Sequence, residues 1–456
     1  MSLPALDESH SAPPGPIAFS QEQIRCLEEA DIFLPQITTD LSTNKGGKRK
    51  VSAAFSAPRA VSSSSTSSVS SSVSISTRGF QPDVIQTFDI PIAEESIEVL
   101  EYIGFIPDIA RVIYDRYSNR PKPSQTPDDL MAYVSGHLVS LNLPQFDNIE
   151  PKTALSRVGL TRQIQDAITD PRFSHISGTE TLLHWAIDTV ETNYAALRGQ
   201  QQLLQSHANQ RIAHNKEHKR PKHEPQQSVT ATINVTPKDF NLPESYVTIQ
   251  TDIEILENHI SLFKGKSYLE LNQTVDIIGS DGTVNLSALR THPSGDFNWW
   301  SNAYYWTPEK ETAEEYRLFA ARRSPTANTC IVHIQIPQSF VSSLRLENLW
   351  YSPNWKDYIW TCRKGIMPDP KFDYLWKPGR ADIVRGPIST SSKEIIRIRR
   401  EDVQSSINED HVMCLPSGRK ACQWVFVQHD TINLLAEQIR GKMHFIIFEA
   451  VARFPV

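Results

Sequence analysis

No cysteine spacing in this chain suggests a bridge or a metal knuckle. Cys26, Cys330, Cys362, Cys414 and Cys422 are scattered, odd in number and never in a C-x-x-C arrangement. That argues against a disulfide framework and a zinc-thiolate site, and fits a reducing compartment. Charge of one sign is also missing. A net charge of −6 over 456 residues excludes a polyelectrolyte binder as a whole. The first residues, "MSLPALDESHSAPPGPIAFSQEQ", carry no basic-then-apolar leader. The run "MHFIIFEAV" near the end is too short to span a bilayer. These absences predict an intracellular protein, cytoplasmic or nuclear, without membrane contact and without a bound metal.

Composition shifts divide the rest. Residues 1–82 read as a disordered Ser-rich arm, because "VSSSSTSSVSSSVSIST" offers too little apolar surface to offset chain entropy. Inside it, "SQEQIRCLEEADIFL" holds one short helix. Ser20 and Gln23 make its capping box, and its apolar face is Ile24, Leu27 and Ile32, interrupted by Glu28. A helix so short is marginal alone, so it reads as transient or as a docking peptide. "KGGKRK", Lys45 to Lys50, reads as an import patch or a solvated tail.

Residues 83–205 read as a helical domain without a catalytic constellation. Thr126 as N-cap, Pro127 behind it and two aspartates mark one helix start. The last helix carries Leu183, Ile187, Val190, Tyr194 and Leu197, a stripe that suits its own domain or a coiled-coil partner. Residues 206–232 read as a basic linker whose 211–223 stretch suits contact with phosphate or nucleic acid. Its "HNKEH" matches H-x-x-E-H at His214, Glu217 and His218. The segment is polar on all faces and breaks at Pro221, so we reject a zinc site there. From 233 to 456 the texture turns to alternating strands with helical pieces between them, an α+β domain.

The densest stretch of that domain is "GDFNWWSNAYYWTPEKETAEEYRLFAARR". Six of the ten residues from Phe297 to Trp306 are aromatic. The strand "NAYYW" runs into Thr307-Pro308, an N-cap and first-turn pair, and the helix behind it turns Ala313, Tyr316 and Phe319-Ala320 to one face. Tyr305 and Tyr316 stand eleven positions apart. Facing each other across a turn, they would sandwich a planar amide ring, each stacked pair adding about 0.5–1.5 kcal/mol beyond burial. The other reading is that both rings are core.

These residues resemble the second motif of the ADP-ribosyltransferase-like superfamily. The resemblance is greatest to its poly-ADP-ribose-polymerase side and to a branch with the pattern D-F-x-x-G-F-Y-x-T-x-x-x-x-x-A-x-x-W, of which Asp296, Phe297, Tyr305, Thr307 and Ala313 are kept. "GRADIVRGPIS", residues 379–389, is similar to that branch's Y-D-x-V-x-G-P-V strand. "KACQWVFVQHDTINLL" is similar to its Q-x-x-F-x-T-x-x-A-L-x-x-L junction. The three blocks cover most of residues 265–440 and leave 1–230 uncovered. The resemblance implies a split-sheet domain that takes NAD, with Tyr305 and Tyr316 stacked on nicotinamide.

The departures are specific. Asp296-Phe297 stand three residues too far from Tyr305. Relatives carry a His-Gly pair at the end of the first strand that holds the adenosine ribose and the amide; the resemblance puts Leu271 or Asn272 there, so Asn272 becomes the cofactor-binding candidate. The catalytic glutamate position reads Gln423, which hydrogen-bonds but carries no charge to stabilise an oxocarbenium-like centre. Losing one such electrostatic contribution costs about two to three orders of magnitude. "ISTSS", residues 388–392, resembles the S-T-S of a toxin-like class, but no E-x-E follows and these read as turn residues.

The expectation is therefore a degenerate ADP-ribosyltransferase-like module used for ligand or protein binding. One alternative is an active mono-ADP-ribosyltransferase or NAD glycohydrolase, rescued by a carboxylate such as Glu270 or Glu394. The other is a structural interaction protein with an unknown protein partner, favoured if Trp299, Trp300 or Trp306 fills the cleft.

Overall fold

The computed structural model describes residues 18–34, 47–52, 71–78, 88–120, 128–142, 148–217, 242–250, 253–271 and 276–450. Eleven strands run among them: β1 (Lys48–Val51), β2 (Val73–Arg78), β3 (Phe88–Pro91), β4 (Val247–Ile249), β5 (His259–Ser267), β6 (Tyr304–Trp306), β7 (Thr329–Pro337), β8 (Leu346–Asn348), β9 (Ile383–Pro387), β10 (Cys422–Phe426) and β11 (Met443–Phe448). The fold class is α+β. The chain divides into two compact units, one of Met1–Ala57, Val84–Gln165 and Asn193–Gln226, the other of Pro58–Asp83, Asp166–Thr192 and Gln227–Val456. No helix among the described residues is long and apolar enough to cross a membrane.

The first unit is helical, with β1 and β3 as an antiparallel pair. Its helices include Ile97–Ile103, Pro107–Ser118, Leu130–Leu138, Pro151–Arg157 and the later part of a long helix, Leu182–Glu217. Its inner face buries Leu197, Leu204 and Ala208. The buried amides on that face are satisfied: Asn193 donates to the Ile103 carbonyl at 3.1 Å and Gln201 to the Pro91 carbonyl at 2.9 Å.

Three expectations change in this unit. The helix Gln21–Glu29 has its capping box, with Gln23 N–H donating to Ser20 Oγ at 3.2 Å and Ser20 N–H to Gln23 Oε1 at 2.7 Å. It is neither free nor transient, however. Ile24, Cys26 and Leu27 are buried, and Gln23 bonds Asn209 at 3.0 Å, so the long helix supplies the burial that a short helix lacks alone. That long helix also runs through Glu217, past the point where a linker was expected, and His218 to His223 of the basic stretch lie outside the described residues. The expected Thr126 cap lies outside them too. Asp129 caps Leu130–Leu138 instead, its Oδ1 accepting from Ala132 N–H at 2.8 Å.

The second unit carries two sheets, a five-stranded one ordered β4-β2-β11-β7-β5 and a four-stranded one ordered β6-β10-β9-β8. β2 comes from the stretch expected to be disordered. It runs parallel to β11 and β4, with Val73 and Ile75 buried. Its serines are not left to water: Ser74 and Ser76 bond the two ring nitrogens of His444 at 2.6 and 2.9 Å. Partners inside the sheet make a Ser-rich strand tolerable, and no local count of serines reveals them. The two sheets meet edge to edge at one bridge, where Phe263 N–H donates to Thr307 O at 2.8 Å and Thr307 N–H to Phe263 O at 3.0 Å. That bridge keeps Thr307 extended, so the helix after β6 begins at Lys310 rather than at Pro308.

His333 on β7 lies opposite His444 on β11. His333 bonds Ser261 at 2.9 Å and stacks on Phe263 at 4.6 Å between centroids. Burial pushes both imidazoles down to about 4. A depressed histidine binds fewer protons folded than unfolded, so its contribution is present above the ordinary histidine value and is lost as pH falls from about 6.5 toward 4. Urea denaturation should show stability dropping across that window, by roughly 3 kcal/mol for each histidine at most. His333→Gln should flatten the drop; a pH profile unchanged by that substitution would contradict the assignment.

Candidate functional site

Where the two sheets part beside the Phe263–Thr307 bridge, a cleft of about 570 Å³ opens within the second unit. β5 supplies Lys264 and Gly265, β6 supplies Tyr305, the helix Lys310–Arg323 supplies Tyr316, and β10 supplies Gln423. The stretch Thr179–Thr192 forms another wall. It is held to the helix Lys310–Arg323 by the ion pair of Asp188 with Arg323, and the residues just before it by the ion pair of Asp170 with Arg322 at 2.9 Å and the hydrogen bond of His175 with Glu315 at 3.1 Å. Gly265 must be glycine, since a Cβ there would lie 1.7 Å from the Ala313 carbonyl oxygen. Its absence lets the helix settle on β5 and brings Tyr316 to the cleft.

The floor is built around Asp296. Its Oδ1 accepts from Arg363 Nε at 2.9 Å and from the Ser389 hydroxyl; its Oδ2 accepts from Ser389 N–H and from Gln423 Nε2, both at 2.8 Å. Arg363, the last residue of the helix Pro353–Arg363, also donates to Glu180 at 2.9 Å. Burial opposes the guanidinium charge, but Asp296 and Glu180 outweigh it and hold Arg363 above the ordinary arginine value. Ser389 is fully buried and donates twice to Asp296, so "ISTSS" is more than a turn.

The longer spacing between Asp296 and Tyr305 also has a structural use. Asn298 Oδ1 accepts from Gly295 N–H at 2.9 Å and from the Tyr305 hydroxyl at 2.8 Å, and that hydroxyl accepts from Phe297 N–H at 2.9 Å. The extra residues fold back and pin the Tyr305 ring by its tip. Burial, reinforced by the Asp296 charge, raises the Tyr305 phenol well above its usual value. Burial also raises that of Tyr316, which lies beside Thr179. Both rings are half-buried, enclosed at the hydroxyl and open in part to the cleft.

Gln423 turns from β10 toward Asp296 while Trp424 and Phe426 on the other face enter the core of the five-stranded sheet. Its amide nitrogen is committed, donating also to Pro387 O at 3.1 Å. Asn272 lies outside the described residues, and Leu271 is core. Glu270 reaches the cleft but pairs with Lys266 at 2.8 Å. Glu394 is exposed and 3.8 Å from His411. Trp306 borders the cleft from within the core, Trp300 is exposed, and Trp299 packs on Trp376 at 5.5 Å. The cleft stays open. No group of three or more His, Cys, Asp or Glu among the described residues is placed to hold a metal ion.

Sequence reasoning missed Lys264, the hub role of Asp296, and the wall at Thr179–Thr192. For Lys264 a signal existed: "FKGKS" puts glycine inside a strand, a mark of close backbone approach. For Arg363 and Glu180 none did, because their pairing spans 183 positions. Compared with family models, curated proteins and solved structures, the chain finds no match.

Gln423→Glu tests the floor. The introduced carboxylate would face Asp296 and the Pro387 carbonyl, where Gln423 now donates. Its folded-state pKa would be raised, so the cost should grow as pH rises above about 4. Denaturation should show a loss of about 3–5 kcal/mol at neutral pH, shrinking in acid. Equal stability of variant and wild type at pH 7 would contradict the geometry.

Proposed function

We propose that the second unit is an ADP-ribosyltransferase-like module, of split-sheet form, whose cleft binds a nicotinamide-type ring of NAD or a related ADP-ribose ligand without transferring ADP-ribose. One observation carries this. Tyr305 and Tyr316 from one block of the resemblance and Gln423 from another, more than a hundred residues on, line the same cleft. Lys264-Gly265 supports it. The pair stands on the strand beside Tyr305, with the glycine packed against the helix that bears Tyr316, and we place the counterpart of the family's His-Gly there.

Binding rather than turnover is favoured by charge. Transfer from NAD needs a carboxylate beside the developing positive centre. Asp296 and Glu180 are taken by Arg363, Asp188 by Arg323, and Glu270 by Lys266. Gln423 is held by its amide hydrogen bonds.

Calorimetry of the full chain with nicotinamide, ADP-ribose and NAD is the test. Heat of binding should appear for at least the ring-bearing ligands, disappear in Tyr316→Ala, and leave NAD chemically intact. If Tyr316→Ala instead costs about 3–5 kcal/mol of stability and leaves binding untouched, the tyrosines are core and the ring slot is wrong. Steady NAD hydrolysis by the wild type would overturn the binding-only reading.

A further inference from the structure

We propose that Lys264 is an imine-forming amine, and that the cleft accepts an aldehyde borne on a flat, anionic body. The argument begins with its place on β5. Lys264 lines the cleft next to the Phe263–Thr307 bridge, and its Nζ donates at 3.2 Å to the carbonyl oxygen of Tyr305, a neutral acceptor. Among the described residues it has no carboxylate partner. The nearby Glu270 is bound by Lys266 at 2.8 Å. A half-buried ammonium whose favourable neighbour, Glu270, is already paired with Lys266 is poorly placed for stability, and a strand position bordering a core would serve as well with an apolar side chain. The same placement suits a nucleophile, which must be neutral to act.

The surroundings agree. Burial, joined by the charge of Lys266, pushes the Lys264 ammonium down to about 7. The other titratable groups lining the cleft include Arg290 and His292 on the loop before Asp296, His184 and Asp188 on the helical wall, the latter paired with Arg323, and Glu180 and Asp296, both paired with Arg363. Glu191 lies farther along the helical wall. Arg290 favours an anionic substituent on the ligand, and the Tyr305 and Tyr316 rings favour a flat one. The step balances without an oxidant. The amine lone pair adds to the carbonyl carbon and an N–H proton passes to the carbonyl oxygen. The C–O bond of the carbinolamine then breaks, water leaves and a C=N bond remains. The flat shape of the ligand rests on the same two tyrosine rings as the nicotinamide reading; the reactivity of Lys264 rests on its own surroundings.

Pyridoxal 5′-phosphate, a flat phosphorylated aldehyde, is the probe. The full chain is exposed to it across a pH series, reduced with borohydride, digested and mapped. Lys264 should be labelled at least about tenfold faster than the exposed Lys310 and Lys420 at about pH 7, with a half-maximal rate near that pH. Lys264→Arg should remove that fast label and leave the slow ones. The site-resolved map of the wild type decides the matter even if the variant fails to fold. An unlabelled Lys264 beside reactive surface lysines would overturn the proposal, as would labelling that rises only near the ordinary lysine value. Fast labelling in a chain that binds no nicotinamide would sustain the imine-forming amine and reject the nicotinamide reading.

Discussion

A buried carboxylate against a buried guanidinium organises the second unit. Asp296 and Arg363 are both almost wholly enclosed, and neither would be tolerable there alone. Each therefore recruits further partners. Asp296 takes the backbone and hydroxyl of Ser389 and the amide of Gln423; Arg363 takes Glu180. Those contacts tie together the turn before β6, the end of the helix Pro353–Arg363, the segment after β9, the start of β10 and the bend at Glu180 ahead of the long helix. Such a network yields little net stability against an apolar filling of equal volume, but it fixes which segments meet.

The cleft follows from that constraint together with the single bridge between the sheets. β5 and β6 touch at Phe263 and Thr307 and then diverge. Asp296 holds the turn ahead of β6 down onto the floor, and Gly265 lets the following helix approach β5. Space is left between Tyr305 and Tyr316, with Lys264 at its edge. Glu180, Asp188, Glu270 and Asp296 are each paired with a basic side chain, and aromatic walls and an amine border the space they leave.

Much of this was legible locally. The α+β texture and the capping box at Ser20 and Gln23 could be read from short stretches, because alternation and caps are local properties; the two tyrosines and the glutamine that share the cleft were singled out by the resemblance. What could not be read was long-range. β2 looked like part of a disordered arm because the partners of Ser74 and Ser76 lie on His444, far along the chain. The helix Gln21–Glu29 looked marginal because the surface it docks on begins beyond residue 200. The helix start at Lys310 rather than Pro308 was decided by a bridge to another strand. Asp296 was visible as a motif residue, but its four donors were not.

The most direct measurement is a double-mutant cycle on the central pair. Asp296→Asn, Arg363→Met and the combined variant are compared with the wild type by urea denaturation. The account predicts that each single change is costly and that the pair is far from additive, with a coupling of about 0.5–3 kcal/mol, because removing either partner strands the other in the floor. Losses that add to within about 0.5 kcal/mol would show that Asp296 and Arg363 act independently, and the floor of the cleft would need another explanation.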